Sequence, residues 1–388
     1  MFLHPKRIIR LTKECCRQAY DNIRLFIAKH LPLEDKIVFC QHEGKGMMDD
    51  PKYIALELIR RKSKVKMVWL LNNMNTPLVE GIKSVKYGSV DALCELYTAK
   101  IWVYNYKGMF LPPTKRKGQY YIQCWHGSFT PKMLEQDTEE TLPKDYIERS
   151  KADSKLIDLM YSNNDFKVNL FKTRFWYKGQ VIKSDSPQLS VVVNPPQGLR
   201  EKVCKYFSLN SDDKIVLYAP TLRSDISLYA FDYNKIMKAL GEKFGGSFVM
   251  LLRIHPSVAE QSKQLNYSQR VIMATDYPDM DELLAVSDVL LSDYSGVAYD
   301  FATRRMPVFL FSKNHAEYII NERKQYFTQE ELPFPMSTTE DELIKLISEF
   351  DNNKYIHDLE TFYNKIGWVE NGHGAENIAD IIEMKLLE

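Results

Sequence analysis

Apolar runs of strand length alternate with helix-length segments along most of this chain, and that alternation restricts the fold more than any other feature. Such runs lie at Lys36 to Cys40, Val65 to Leu71, Lys100 to Asn105, Tyr121 to Trp125, Lys214 to Tyr218 and Ser247 to Leu252. The pattern predicts parallel sheets covered by helices. In sheets of that kind ligands gather outside the carboxyl ends of the strands, so residues just past each run are the first candidates for chemistry.

One stretch, residues 288–311 (DVLLSDYSGVAYDFATRRMPVFLF), condenses the argument. Val289 to Leu291 and Val308 to Phe311 suit strands buried on both faces. Between them Ser292, Asp293, Tyr294, Ser295 and Gly296 form a turn into a helix whose inner face carries Val297, Phe301 and Ala302. Unpaired amides and the macrodipole at such a helix start favour an anion, above all a phosphate. The plainer reading is a serine N-cap on an ordinary crossover. Two neighbouring strands deliver Thr221 with Arg223, and Arg253 with His255, to the same edge. These residues together make candidates for one anion-binding crevice.

The first half of the chain has its own unusual stretch at 120–137. His126 and Gly127 sit where a strand ends, a position suited to proton transfer. Gly127 permits close backbone approach, while Ser128, Thr130 and Lys132 add hydroxyls and a positive charge. The loop QHEGKGMMDD carries Gly44, Lys45 and Gly46 but neither a P-loop nor a dinucleotide fingerprint, and reads as a flexible loop facing substrate.

A chain of 388 residues exceeds one comfortable core, so two domains are expected. The boundaries read as 1–30 for an N-terminal helix, 31–195 for the first domain and 196–388 for the second, the prolines at 195 and 196 marking the linker. The tail reads as helices near 338–350 and 374–386, the last crossing back to the first domain. Lys plus Arg (52) balance Asp plus Glu (51), which argues against a nucleic-acid binder. The six cysteines form no C-x-x-C pair, which suits a reducing compartment and disfavours zinc. No run approaches the roughly 18 to 20 apolar residues of a membrane span, so a cytoplasmic protein is expected. From Lys6 to Lys29 the basic residues exceed the acidic ones by five at helical spacing. Such a helix either lies on an anionic membrane surface or packs on its own domain with a solvated basic side.

WHGS (125–128), YAPTLR (218–223), RIHP (253–256), SDYSGVAYDF (292–301) and NGHGAENIADII (371–382) occur in that order, with DPKYIALELI at 50–59. In this combination the chain resembles the CDP-glycerol glycerophosphotransferase family, which includes teichoic-acid and capsule enzymes. The resemblance implies an α/β GT-B fold, two Rossmann-like domains facing across a cleft. It implies transfer of a polyol phosphate, glycerol phosphate first, from a CDP-polyol to a hydroxyl of a cell-surface polymer or its lipid-linked precursor, with CMP released. His126 and His255 match the family's functional histidines. Thr221, Arg223, Arg253 and Ser292 to Gly296 fall on the donor side, and Gly127, Ser128 and Lys132 on the acceptor side. His126 is assigned as general base and His255 as phosphate stabiliser, with the reverse assignment open. No cofactor is implied beyond the CDP-polyol substrate; a divalent metal stays open, with Asp293 and Asp300 the residues that could attract a cation. The enzyme is expected at the inner face of the membrane, held there by the basic helix.

The chain departs from the family at Gly296, where a second serine is usual, and at Gln188 and Ser190, which replace an arginine and an acid. Two other functions fit the same pattern. One is a GT-B glycosyltransferase using a nucleotide sugar, and the other is a noncatalytic scaffold that keeps the fold.

Overall fold

A computed structural model describes residues 5–223, 225–255, 257–258, 267–313 and 324–388. The first sheet contains β1 (Glu34–Cys40), β2 (Lys66–Leu71), β3 (Ile82–Lys86), β4 (Ala99–Tyr104), β5 (Tyr120–Gln123), β6 (Leu159–Ser162) and β7 (Gln180–Lys183). Every pairing is parallel and the order is β3-β2-β1-β4-β5-β6-β7. The second contains β8 (Lys214–Tyr218), β9 (Phe248–Leu252), β10 (Val271–Met273), β11 (Val289–Ser292), β12 (Val308–Phe311) and β13 (Met336–Ser337). It too is parallel, in the order β10-β9-β8-β11-β12-β13.

Helices cover both faces, so the central strands are buried along nearly their whole length, as at Ile37 to Cys40 and Ile215 to Tyr218. The strand order reverses between β1 and β4 and again between β8 and β11, and loops leaving such switch points frame a crevice. The two domains present these edges to a shared cleft, which is the GT-B arrangement that the motifs imply.

The helix Asp49–Arg60 joins the halves. Its Ile54 and Leu58 belong to the first domain's core, which also takes Ile378, Ala379 and Ile382 from the last helix, Gly374–Leu387. Arg61 locks that crossing by pairing with Asp380 (2.5 Å) and Glu383 (2.9 Å). Tyr53, on the opposite side of the same helix, packs into the second domain's core instead.

Three readings of the sequence need correction. The tail holds three helices, Glu340–Ser348, Asn352–Ile366 and Gly374–Leu387, where two were expected. The Asp-Asn-Asn run at 351–353 is a helix start: Asp351 accepts from the amides of Asn353 and Lys354, and left-handed Gly367 ends the helix. The short strand β13 was not foreseen either. Finally, the 41–48 loop is tied down. Gly44 donates to the Gln41 carbonyl (2.8 Å), its own carbonyl accepts from Asn72 (2.7 Å), and Trp69 Nε1 donates to Gly46 (2.8 Å).

The first helix, Pro5–His30, packs on the helix Val90–Thr98, with Ala28 buried and Arg24 paired to Asp91. Tyr20, Ile23, Phe26 and Ile27 nevertheless remain exposed on it. Among the described residues no helix is long and apolar enough to cross a membrane.

Candidate active site

A cleft of about 500 Å³ lies where the strand ends of the two sheets converge. His42, Asp49, His126, Gly127 and Lys132 line it from the first domain. Thr221, Arg253, His255, Tyr294, Ser295, Gly296 and Asp300 line it from the second. A larger groove of about 930 Å³, between 329–336 and the helix Asn352–Ile366, shares none of these residues.

His126 follows β5 and is held by aromatic contacts. Its ring stacks on Trp125 (4.5 Å between centroids) and Tyr106 (5.3 Å), and its Nδ1 lies 3.4 Å from the Asn105 carbonyl. A carbonyl only accepts, so that contact puts the proton on Nδ1 and leaves the lone pair on Nε2. Beneath the loop, buried Lys167 donates to the Gly127 carbonyl. Burial pushes this ammonium down to about 8, against the opposing pull of Asp50 and Asp300.

His255 follows β9 and has the opposite arrangement. The Ser257 amide donates to its Nδ1 (3.2 Å), and the Ser257 hydroxyl lies 2.7 Å from the same nitrogen. An amide only donates, so Nδ1 accepts and the ring proton sits on Nε2. Arg253 lines the cleft beside it, while its Nη1 donates to the carbonyls of Ala274 (2.8 Å) and Tyr277 (2.7 Å).

Several residues assigned to the donor hold the turn itself. Asp293 accepts from the Thr221 amide (2.8 Å), the Thr221 hydroxyl (2.7 Å), the Tyr294 amide (2.6 Å) and Arg223 Nη2 (2.8 Å). Both members of the Arg223–Asp293 pair are about 5% exposed. A buried carboxylate needs such partners, so Thr221 and Arg223 act on Asp293 first. Ser292 is fully buried and donates to the Ala219 carbonyl (2.7 Å), which removes it from the cleft. Tyr294 faces the cleft in part, with its hydroxyl 2.6 Å from that of Ser312. Ser295 and Gly296 remain. Among the described residues neither amide has a protein acceptor, so both can serve an anion. The helix that follows, Val297–Ala302, has six residues, so local amides outweigh its small dipole.

On the opposite wall Gly127 and Lys132 line the cleft, but Ser128 lies under it, against Asp300. Burial pushes the Asp300 carboxyl up to about 7. His42, Asp49 and Asp281 also line the cleft and were missed in the sequence. His42 stands just past β1 as His126 stands just past β5, so a signal for it was available. Among the described residues no group of three or more His, Cys, Asp or Glu has the geometry to hold a metal ion.

Comparison with known proteins identifies the family and the fold. The profile of the CDP-glycerol:poly(glycerophosphate) glycerophosphotransferase family matches residues 23–384. The chain belongs to that family. It is 29% identical to a teichoic acid poly(glycerol phosphate) polymerase of Staphylococcus epidermidis, covering 99% of this chain and 55% of the relative. It is 27% identical to the polymerase of the same description from Bacillus spizizenii, covering 90% of this chain and 92% of that one. A histidine variant of the wall teichoic acid polymerase TagF, solved with CDPG, superposes with a TM-score of 0.83 at 25% identity over 99% of both chains.

The departures from the family pattern now have a physical form. Gly296 stands where any Cβ would overlap the Phe129 carbonyl oxygen, so the usual serine has no room. Gln188 lines the cleft, and its backbone N–H donates to Asp50 Oδ1 (2.8 Å). Ser190 has turned away, accepting from the Ala375 amide (3.2 Å) of the crossing helix.

Proposed function

We propose that this chain transfers glycerol phosphate from CDP-glycerol to a hydroxyl at the end of a wall polymer or its lipid-linked precursor, releasing CMP. The observation that carries the proposal is the complementary state of two imidazoles lining one cleft from opposite domains. The Nδ1 of His126 faces a backbone carbonyl and the Nδ1 of His255 accepts from a backbone amide, so the two rings favour opposite tautomers.

The reaction follows from that difference. The acceptor hydroxyl attacks the phosphorus bearing glycerol, in line with the departing CMP oxygen. Its proton passes to His126 Nε2 as the new P–O bond forms and the P–O bond to CMP breaks. His255 Nε2–H, Arg253 and the amides of Ser295 and Gly296 face the negative charge that accumulates on the phosphates. Lys132 adds positive potential from the other wall. No step requires Thr221, Arg223, Asp293 or Ser292 to touch substrate; they hold the turn in place.

The first helix complements a lipid-linked acceptor. Its basic residues and its exposed Tyr20, Ile23, Phe26 and Ile27 suit attachment to an anionic membrane surface. The test of function is product analysis with CDP-glycerol, CDP-ribitol and a panel of nucleotide sugars. Release of CMP with gain of glycerol phosphate on the acceptor is expected. Transfer of a sugar, or no turnover with any donor, would overturn the proposal.

A further inference from the structure

We propose that His42 and Asp49, clamped by Asn105, form a subsite for a vicinal diol, the pair of neighbouring hydroxyls that a glycerol unit presents beside the reacting centre. The inference rests on the phosphotransfer reading above and gives the polyol its recognition site.

The loop between β1 and the helix Asp49–Arg60 is strained. His42 (φ 36°), Glu43 (φ 57°) and Asp49 (φ 56°) all occupy the left-handed region, unusual for side-chain-bearing residues. Such strain persists only where surrounding contacts impose it, and it gathers at ligand sites. Here the contacts come from Asn105, fully buried just past β4. Its Oδ1 accepts from the His42 amide (3.1 Å) and its Nδ2 donates to Asp49 Oδ2 (2.7 Å). Gln41 adds a second bond to the same carboxylate oxygen (3.3 Å). One buried side-chain amide therefore fixes both residues, and the backbone carbonyl of Asn105 faces His126 as well.

What the clamp leaves open defines the ligand. Asp49 lines the cleft, yet among the described residues its Oδ1 has no hydrogen-bond partner. His42 lines it too, its ring 5.2 Å from that of His126, and neither of its ring nitrogens is bonded among the described residues. Burial, with Lys45 nearby, pushes the His42 imidazole down to about 4, so it is neutral near pH 7 and can accept a hydrogen bond. A carboxylate next to a neutral imidazole repels phosphate and offers acceptors to hydroxyls. The neutral polyol, beside the proton-accepting His126, is the part of either substrate that fits.

The diol can belong to the donor glycerol or to the terminal glycerol of the acceptor, and Asp49→Asn separates these. Asparagine tolerates the left-handed backbone and keeps an oxygen for Asn105 and Gln41, but turns an N–H donor toward the cleft. Steady-state constants would be measured for wild type and D49N with CDP-glycerol and a glycerol-phosphate-ended acceptor, then with analogues of each lacking one hydroxyl. The variant should raise KM for the diol-bearing substrate about tenfold or more, the loss expected for one hydrogen bond to a charged group. That penalty should vanish with the deoxy analogue. A rise confined to CDP-glycerol assigns the donor's diol, and one confined to the acceptor assigns the acceptor's. Should D49N fail to fold, His42→Gln against His42→Leu makes the same comparison. Unchanged constants in active variants, or an equal penalty with the deoxy analogues, overturn the diol subsite while leaving phosphotransfer intact. Wild type that releases no CMP from CDP-glycerol sinks both.

Discussion

Gly296 stands so close to the carbonyl oxygen of Phe129 that a Cβ on the glycine would overlap it. The contact joins the two domains beside the cleft, which Gly296 lines. Phe129 leaves the His126 loop of the first domain and inserts its ring beside Tyr299 (4.4 Å between centroids) and Phe362 (5.6 Å) of the second. Because Gly296 has an ordinary φ of −59°, the space and not the backbone conformation demands glycine. Gly296→Ser should therefore separate the two loops and cost about 1–3 kcal/mol, typical of overpacking. Turnover should fall with it. Denaturant unfolding alongside a CMP-release assay checks this, and a serine variant with wild-type stability and rate would refute the tight contact.

Replacing either histidine of the cleft should remove chemistry and spare the fold. His126→Ala deletes the proposed proton acceptor, and a loss of about 10²–10⁴ in kcat is expected for a general base. His255→Ala deletes a charge-facing donor and should reduce kcat by roughly 10²–10³, as loss of an oxyanion donor does. Both rings sit at the cleft, so circular dichroism and unfolding midpoints should stay near wild type. Retention of near-normal turnover by H126A would remove it from the mechanism.

Much of this was legible in the sequence because buried parallel strands leave continuous apolar runs. β8 begins and ends where such a run does. His126 and His255 were found because each directly follows such a run. What sequence hides is the partner. Arg223 and Asp293 lie 70 positions apart, and residue type alone cannot distinguish a guanidinium awaiting phosphate from one already spent on a carboxylate. Ser292 was misplaced for the same reason, since its acceptor is a carbonyl 73 positions away. The His42 loop looked flexible because its glycines and polar residues are also what a strained, clamped loop requires. Its clamp, Asn105, is 63 positions from His42.

His42 also makes stability depend on pH in a direction that can be stated. Its value in the folded chain, about 4, lies below the ordinary 6.5. Between these values the unfolded chain binds a proton that the folded chain does not, so this contribution is full above pH 6.5 and is lost as pH falls toward 4. The shift sets a ceiling of roughly 3 kcal/mol, reduced by partial exposure to about 1–2. His42→Asn removes the contribution. Unfolding free energies of wild type and H42N, compared at pH 7 and pH 4.5, should converge by that amount on acidification; parallel behaviour would refute the burial argument.

Attachment to a membrane through the first helix predicts a surface variant with a selective defect. Ile23 and Phe26 are 57% and 64% exposed, so glutamates there should leave folding unaffected. Each apolar side chain buried in a lipid interface contributes about 1.5–3 kcal/mol when fully buried. The double variant should therefore lose tenfold or more in affinity for vesicles containing anionic lipid. Binding should also weaken with salt in wild type. Sedimentation with such vesicles measures both effects, and equal binding by the variant would rule the helix out as anchor.

The domains are fastened next to the cleft by Asp279, whose two oxygens do different things. Oδ1 caps the helix Met280–Val286, accepting from the amides of Asp281 (2.8 Å) and Glu282 (3.2 Å). Oδ2 reaches the other domain, accepting from Tyr53 (2.8 Å) and pairing with Lys52. Asp279→Asn keeps an oxygen for the cap but turns an amide nitrogen toward two donors, so it should break only the fastening between domains. Asp279→Ala should lose both, leaving Lys52 largely buried without its closest partner. Breaking a buried pair costs about 3–5 kcal/mol, and losing the cap adds about 1. The alanine variant should therefore be less stable than the asparagine variant by about the value of the cap. Because Met280 and Asp281 line the cleft next to this fastening, both variants should also raise KM for CDP-glycerol. Denaturant unfolding with parallel kinetics checks this; two variants as stable and as active as wild type would mean that the domains are held together elsewhere.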